Sequence, residues 1–233
     1  MSDNPASSSS SADTGDIFRS LEPRQRAEVE RLIVYNVYPG GQVFHSPNEV
    51  GERLFVMRSG RVRVYKLSPE GRALTLMVLE PPTIFGEMIL VGQRVHDTFA
   101  ESMAECVIGV IGGDTLRQIL ERHPQVALAL MELMGQRLRA MENKLADIAF
   151  KSVPQRLASV LLNLAGVGPG PVASDIPPSV VRYTHQHLAD MIGSYRETVT
   201  KAIGELREAG MIRIEDEVIS LMDLPQLQRL AHS

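Results

Sequence analysis

The 233-residue chain carries 44% hydrophobic and 22% charged side chains, enough apolar material for one large core or two modest ones, which excludes disorder throughout. Its 24 basic and 28 acidic residues leave a net charge of −4, and residues 151–233 hold 8 basic against 9 acidic side chains, so bulk charge alone does not point to a nucleic-acid partner. The longest apolar run, Cys106 to Ile111, falls far short of the ~20 residues of a membrane-spanning helix, and no membrane partner is expected.

Ser2 to Gly15 is rich in Ser and Asp and has neither a basic nor an apolar region of the kind a secretory signal needs, so residues 1–16 read as a disordered tail. Cys106, the single cysteine, cannot form an internal disulfide and lies in a Val/Ile-rich run as a buried thiol would. A reducing cytosol fits both features, and the protein is expected to be cytoplasmic. Leu21 to Ile33 reads as a short amphipathic helix. From Gly41 to Ile111 the pattern becomes strand-like, with Val62 and Val64 alternating with Arg61, Arg63 and Tyr65 after a Ser59-Gly60 turn. Ser68-Pro69-Glu70-Gly71 makes the next turn, and Pro81-Pro82 stops the strand Ala73–Leu79. Many short strands with Gly and Pro turns predict an antiparallel barrel or jelly roll over residues 17–123.

The period changes at Pro124. Ala127, Met131, Met134, Leu138, Met141, Leu145 and Ile148 recur at spacings of four and three, predicting one helix over residues 124–150. Such a stripe also suits a helix packed on its own core, but about 40 Å of helix is more than one small barrel covers, which favours self-association into a homodimer. Residues 151–153 read as a hinge, with Ser152 as the cap and Pro154 in the first turn of the next helix. The remainder, 154–233, reads as a helix over Gln155–Leu164, a Gly/Pro-rich loop to Pro178, a helix from Thr184 to Gly193, and a second from Ser194 to Ala209 that Gly210 stops. A hairpin follows, Met211–Ile214 and Val218–Leu221 across Glu215-Asp216-Glu217. That order describes a winged helix-turn-helix, and the fold class is α+β.

Within Gln186–Lys201, Leu188, Ala189, Ile192 and Val199, with Ile203 and Leu206 beyond, supply the packing of two crossed helices, and Arg196, Glu197 and Lys201 occupy the opposite face of the second. With the β-domain, a Phe85-Gly86-Glu87 segment, a long helix ending in Ala149-Phe150 and the run Arg196-Glu197-Thr198-Val199, the chain resembles the cyclic-AMP receptor protein / fumarate and nitrate reduction regulator (CRP/FNR) superfamily of bacterial transcription factors. The resemblance covers nearly everything after the tail. It implies a β-roll like those of cyclic-nucleotide-binding domains, a dimerisation helix and a C-terminal DNA-binding domain. It further implies a homodimer on a TGTGA-like palindrome in double-stranded DNA, an activator that touches RNA polymerase, and no catalysis.

Arg196 can donate twice to O6 and N7 of a guanine, and Glu197 can accept from N4 of a cytosine. The bland alternative is an exposed helix with a Glu197–Lys201 pair. Lys201 stands where the receptor-protein subgroup has Arg, and lacking the bidentate fork it should weaken or shift the base preference. Thr184 and Gln186 resemble family positions that hold phosphates, although Thr184 would equally serve as a helix cap; Ser194 and Thr198 complete the expected contact set. The acidic wing tip, Glu215 to Glu217, would repel phosphates.

Cyclic-AMP-binding relatives follow their Gly-Glu with an Arg-Ser pair, the Arg neutralising the cyclic phosphate and the Glu taking the ribose hydroxyl. Gly86 and Glu87 are present here, but His96 and Asp97 hold the Arg-Ser positions, and a neutral ring beside a carboxylate disfavours an anion. Met141 and Glu142 stand where the receptor protein has the Thr and Ser that bond adenine. Arg94 would be the guanidinium of a rearranged cassette, which keeps a cyclic-nucleotide-gated reading open. One cysteine is too few for an iron–sulfur cluster, and His45, His96 and His123 are scattered for haem ligands. The expectation is therefore a regulator without cyclic AMP, free of any effector or answering to an unidentified ligand. A metal-dependent jelly-roll enzyme would need ligands on the strands, whereas the one His-x-His, His185 and His187, lies in the helical domain. No metal or catalytic residue is expected. A scaffold that has lost DNA binding fits the acidic wing but not the intact Arg196–Val199 run.

Overall fold

A computed structural model describes residues 15–90, 95–168, 177–181, 183–216 and 218–232; most of the expected tail, Arg94 and Glu217 lie outside the described residues. The chain divides into two compact units: Met1–Lys66 with Met77–Ala140, and Leu67–Leu76 with Met141–Ser233.

Before residue 113 the described residues hold α1 (Pro23–Glu30) and eight strands, β1 (Val34–Tyr38), β2 (Val43–His45), β3 (Arg53–Ser59), β4 (Val62–Leu67), β5 (Ala73–Leu79), β6 (Thr83–Phe85), β7 (Phe99–Ser102) and β8 (Cys106–Gly112), all in the first unit except Leu67 of β4 and Ala73–Leu76 of β5. They form two four-stranded sheets, ordered β1-β8-β3-β6 and β2-β7-β4-β5, the β-roll expected from the turn spacing. The Cys106–Ile111 run is apolar because β8 is an inner strand, paired antiparallel with β1 from Val34/Val110 to Tyr38/Cys106 and with β3 from Arg53/Gly112 onward. Phe55 and Phe85 stack at 4.7 Å, and Phe44 meets both edge-on at 5.5 and 5.2 Å, in the geometry that ring quadrupoles favour.

The first helix is shorter than expected. Leu21 and Ile33 are buried but lie outside α1, in flanking turns, while Leu32 is exposed. After β8 comes α2 (Gly113–Arg122), which the sequence reading passed over because only Leu116 and Ile119 bury, too few to display a period. Next is α3 (Pro124–Phe150), spanning the residues read from the heptads. Its first half buries Val126, Ala129, Leu130 and Leu133 with Ile17, Leu116 and Ile119, a second apolar face that the seam reading missed.

The second unit contains α4 (Val153–Leu164), β9 (Ser179–Val181), α5 (His185–Ile192), α6 (Arg196–Glu208), β10 (Ile212–Glu215), β11 (Val218–Leu221) and α7 (Leu224–His232). The Ser152 N–H donates to Gln155 Oε1 at 2.7 Å, and Pro154 occupies the first turn of α4, so the cap read from sequence forms. Two elements are additional to the expected set: β9, which makes the wing a three-stranded sheet in the order β10-β11-β9, and α7, packed on α4.

Candidate DNA-binding interface and effector site

Both ends of α5 are fixed locally. Thr184 is its N-cap, with Oγ1 accepting from the His187 N–H at 3.1 Å, and Gly193 ends it at φ +64°, a left-handed turn that an L side chain adopts only with strain. The next helix starts later than its sequence suggested: Ser194 belongs to the turn, its N–H donating to the Ala189 carbonyl, and Tyr195 is the N-cap of α6 without a side-chain cap hydrogen bond. Leu188, Ala189 and Ile192 bury against Val199, Ala202, Ile203 and Leu206, spacings of three and four that make one face of each helix apolar. The remaining face of α6 leaves Arg196, Glu197, Thr198 and Lys201 exposed.

Lys201 does not pair with Glu197. Its Nζ lies 3.9 Å from Glu205 Oε1, one turn on, while the Glu197 carboxylate occupies the first turn, where the helix dipole favours it. With side chains 81% and 51% exposed, that pair contributes little, and Lys201 can exchange it for a phosphate or a base. Gln186 Nε2 donates to Asp190 Oδ1 at 2.7 Å along its own helix. His185, which the sequence reading weighed only as a metal ligand, has Nδ1 2.8 Å from Thr200 Oγ1, and the Thr200 hydroxyl donates to the Arg196 carbonyl at 2.9 Å. Lys144, on the last turns of α3, donates to the Met191 carbonyl at 2.6 Å, where a cation meets the negative end of α5; burial holds its ammonium below the ordinary lysine value. Within the same unit the Arg72 guanidinium lies 4.0 Å over the Tyr195 ring. On the wing, Glu215 and Asp216 are exposed, with Asp216 at φ +43°.

In the first unit, Gly86 has φ +83°, and a Cβ there would stand 2.6 Å from the Arg53 carbonyl, so the backbone passes where only glycine fits. Glu87 is engaged by Arg137 of α3, its Oε2 3.0 Å from Nη1; Arg137 also donates to Thr83 Oγ1 and the Ile84 carbonyl. Sequence reading missed Arg137, which no motif flags. His96 is buried and lies flat on His45, ring centroids 3.8 Å apart at 8°. His45 Nδ1 is 2.9 Å from the Thr98 carbonyl, so this nitrogen carries the proton. Burial, and then the neighbouring His96, push the His45 imidazole down to about 4; burial also lowers His96, against the opposing pull of Glu87, Glu49 and Asp97.

Asp97 departs from its expected role. It is exposed and paired with Lys66 Nζ at 2.8 Å, a contact that holds its carboxyl below the usual range, so its charge is balanced by Lys66. A cyclic phosphate asks for a cation, and His96, at the position the resemblance gives to arginine, is a buried ring packed on a second one. Met141 is half-buried and Glu142 exposed.

The seam residues separate into two sets. Met131, Leu138 and Leu145 are 61%, 62% and 69% exposed and Ile148 is partly so, joined by Leu128 at 59%. Met134 instead turns to the core beside Leu130 and Leu133, because it lies one turn after Leu130 on the buried face. Among the described residues no helix is long and apolar enough to cross a membrane.

Two family models match: a cyclic nucleotide-binding domain over residues 35–123 and a Crp-like helix-turn-helix domain over residues 155–230. The chain is 30% identical over 222 residues to a CRP-like cAMP-activated global transcriptional regulator of Mycobacterium tuberculosis (strain CDC 1551 / Oshkosh), covering 92% of this chain and 96% of that protein. It is 33% identical over 200 residues to the transcriptional regulator SdrP of Thermus thermophilus, covering 84% and 93%. Among solved structures, a CRP/FNR-family transcriptional regulator of Thermus thermophilus superposes with a TM-score of 0.66 at 32% identity, covering 86% of this chain and 99% of that one. With its nucleotide-binding-type β-roll followed by a helix-turn-helix, the chain belongs to the CRP/FNR family of DNA-binding transcription regulators, which are not enzymes.

Proposed function

We propose that the protein acts as a homodimer that reads a TGTGA-like palindrome through Arg196 and Glu197 and does so without cyclic AMP. The observation that carries effector independence is the His45–His96 stack: at the position where a cyclic phosphate would need a cation, two buried imidazoles lie face to face, with His45 Nδ1 on the Thr98 carbonyl. Asp97 and Glu87 are already paired, with Lys66 and Arg137. Base readout is supported by the exposed set Arg196, Glu197 and Lys201, with Thr198 beside them and Thr184, Gln186 and Ser194 at the edge of the same helix pair. An activator of this kind also contacts RNA polymerase.

The second reading is a cyclic-AMP-gated regulator. It is favoured by the 30% identity to a cAMP-activated relative and by the Glu87–Arg137 pair, which keeps a carboxylate and a guanidinium together. The two are separated by titrating nucleotide-free protein onto a fluorescent TGTGA-N6-TCACA duplex with and without cyclic AMP. Specific binding that cyclic AMP leaves unchanged is the expected result; binding that appears only with the nucleotide establishes the second reading.

Dimerisation is supported by the row Leu128, Met131, Leu138 and Leu145, large apolar side chains left in water on a single chain. Sedimentation should give twice the 25.7 kDa chain mass. Leu138→Glu removes an apolar contact worth about 1.5–3 kcal/mol from each protomer and sets two like charges in the seam. It should raise the dimer dissociation constant about a hundredfold or more and weaken palindrome binding in step.

A further inference from the structure

We infer that His185 is a DNA-backbone contact that works only in its protonated form, so that specific DNA binding by this protein takes up a proton at each recognition helix. The inference deepens the readout reading above and rests on it.

The geometry is a directed chain of hydrogen bonds. A threonine hydroxyl has one hydrogen, and that of Thr200 is donated to the Arg196 carbonyl at 2.9 Å. Toward His185 Nδ1, 2.8 Å away, Thr200 Oγ1 can therefore only accept, which places the hydrogen of the neutral ring on Nδ1. Nε2 is then a bare lone pair, and a lone pair repels a phosphate oxygen. Once a proton from solution binds Nε2, the same atom becomes a charged donor, and the Thr200 bond is kept.

The location follows from the helix positions. Thr200 lies one turn after Arg196 on the exposed face of α6, so the imidazole bonded to it sits beside the side chain that faces the bases. His185 is also the first residue of α5, next to the Thr184 cap, where peptide dipoles favour an approaching anion. The charged groups on the elements packed against α5 are Arg196, Glu197 and Lys201 on the near half of α6, Arg156 on α4, which is committed to the Ile148 and Lys151 carbonyls, and Lys144 on α3, which is committed to the Met191 carbonyl at the far end of α5. On α5 itself Asp190 is bonded by Gln186, and the second imidazole, His187, is partly buried two residues on, its backbone N–H donating to Thr184 Oγ1. The negative charge that meets His185 on binding is the duplex, and a polyanion beside an imidazole favours its charged form. The near-neutral C-terminal residues give the few available cations more weight, because little else there releases counterions.

The test is the affinity for the TGTGA-N6-TCACA duplex at fixed ionic strength from pH 6 to pH 8, with sedimentation confirming that each variant stays dimeric. Wild-type affinity should fall about tenfold or more across that range. His185→Gln should bind with a flat profile at the weaker limit, and His185→Lys, a permanent cation, with a flat profile at the tighter one. Thr200→Val frees the neutral ring to carry its hydrogen on Nε2, so its affinity at pH 8 should exceed that of wild type. A slope kept intact in His185→Gln overturns the inference, and so does a flat wild-type profile. Arg196→Ala separates the two ways of failing. If it leaves binding unchanged, the readout reading falls and the inference with it. If it abolishes binding while the wild-type profile is flat, only the proton linkage falls.

Discussion

Arg196→Ala should weaken binding to the palindrome between roughly 30-fold and 10⁴-fold. One bidentate contact to a guanine contributes about 1–3 kcal/mol of discrimination, and a dimer loses two. The side chain is exposed and caps nothing, so the variant should unfold within about 0.5 kcal/mol of wild type, which urea denaturation would check. Arg196→Lys should recover only a small part of the loss, because an ammonium lacks the planar fork that spans O6 and N7. The salt slope should scarcely change, since the contact removed is to a base and not to a phosphate. Non-specific binding should be weak and only moderately steep in salt, because residues 151–233 carry 8 basic against 9 acidic side chains. Loss of affinity that is equal on specific and random duplexes would refute base readout and make Arg196 a phosphate contact.

The second large effect concerns acid stability of the β-roll. In the unfolded chain His45 would titrate near the ordinary imidazole value, about 6.5, whereas in the folded protein burial and His96 bring it down to about 4. Above the unfolded value both states are neutral and folding gains its full stability. As pH falls from 6.5 towards 4, the unfolded chain takes up a proton that the native state refuses, and stability drops by up to roughly 3 kcal/mol from His45 alone. His96, also lowered by burial, adds to the loss in the same direction. The Thr98 carbonyl, Glu87 and Glu49 oppose it without outweighing burial. The sign is opposite to that of a histidine gaining a carboxylate partner. Urea unfolding at pH 7.0, 5.5 and 4.5 should show it, followed by tyrosine fluorescence because the chain has no tryptophan. His45→Phe should flatten the dependence. A pH-independent wild-type midpoint would mean that the ring pair is charged or open in solution, and with it the objection to an anionic effector would lapse.

Those two residues also mark how far the sequence could be read. Arg196 stood out because it sits in a contiguous run, Arg196-Glu197-Thr198-Val199, whose helical spacing alone separates packing from exposed positions. His96 was legible as a departure from a cassette, but its partner was not, and His45 entered only as a scattered histidine. Asp97 was read as a charge beside the site, and the fold turned it to Lys66. Met134 fitted the heptad as well as Met131 did, yet one faces the core and the other water, because a straight helix that leans on a β-roll along part of its length has two apolar faces and a single repeat cannot show both.

By itself the sequence determined the order of the elements: an antiparallel β-roll, a helix over 124–150, and two crossed helices followed by a hairpin, with the caps at Thr184 and Ser152 and the stop at Gly193. All of these rest on neighbours within a few residues, where alternation, heptad spacing and capping are written into consecutive side chains. Only the tertiary structure decided that Arg137 holds Glu87, that His96 lies on His45, that Lys201 turns to Glu205, and that His185 hangs its ring on Thr200. Most of those contacts join segments far apart in the chain. Lys201 had acidic partners one turn away on either side, so spacing could not choose between them. The choice of partner is made by packing and burial, and no local pattern carries it.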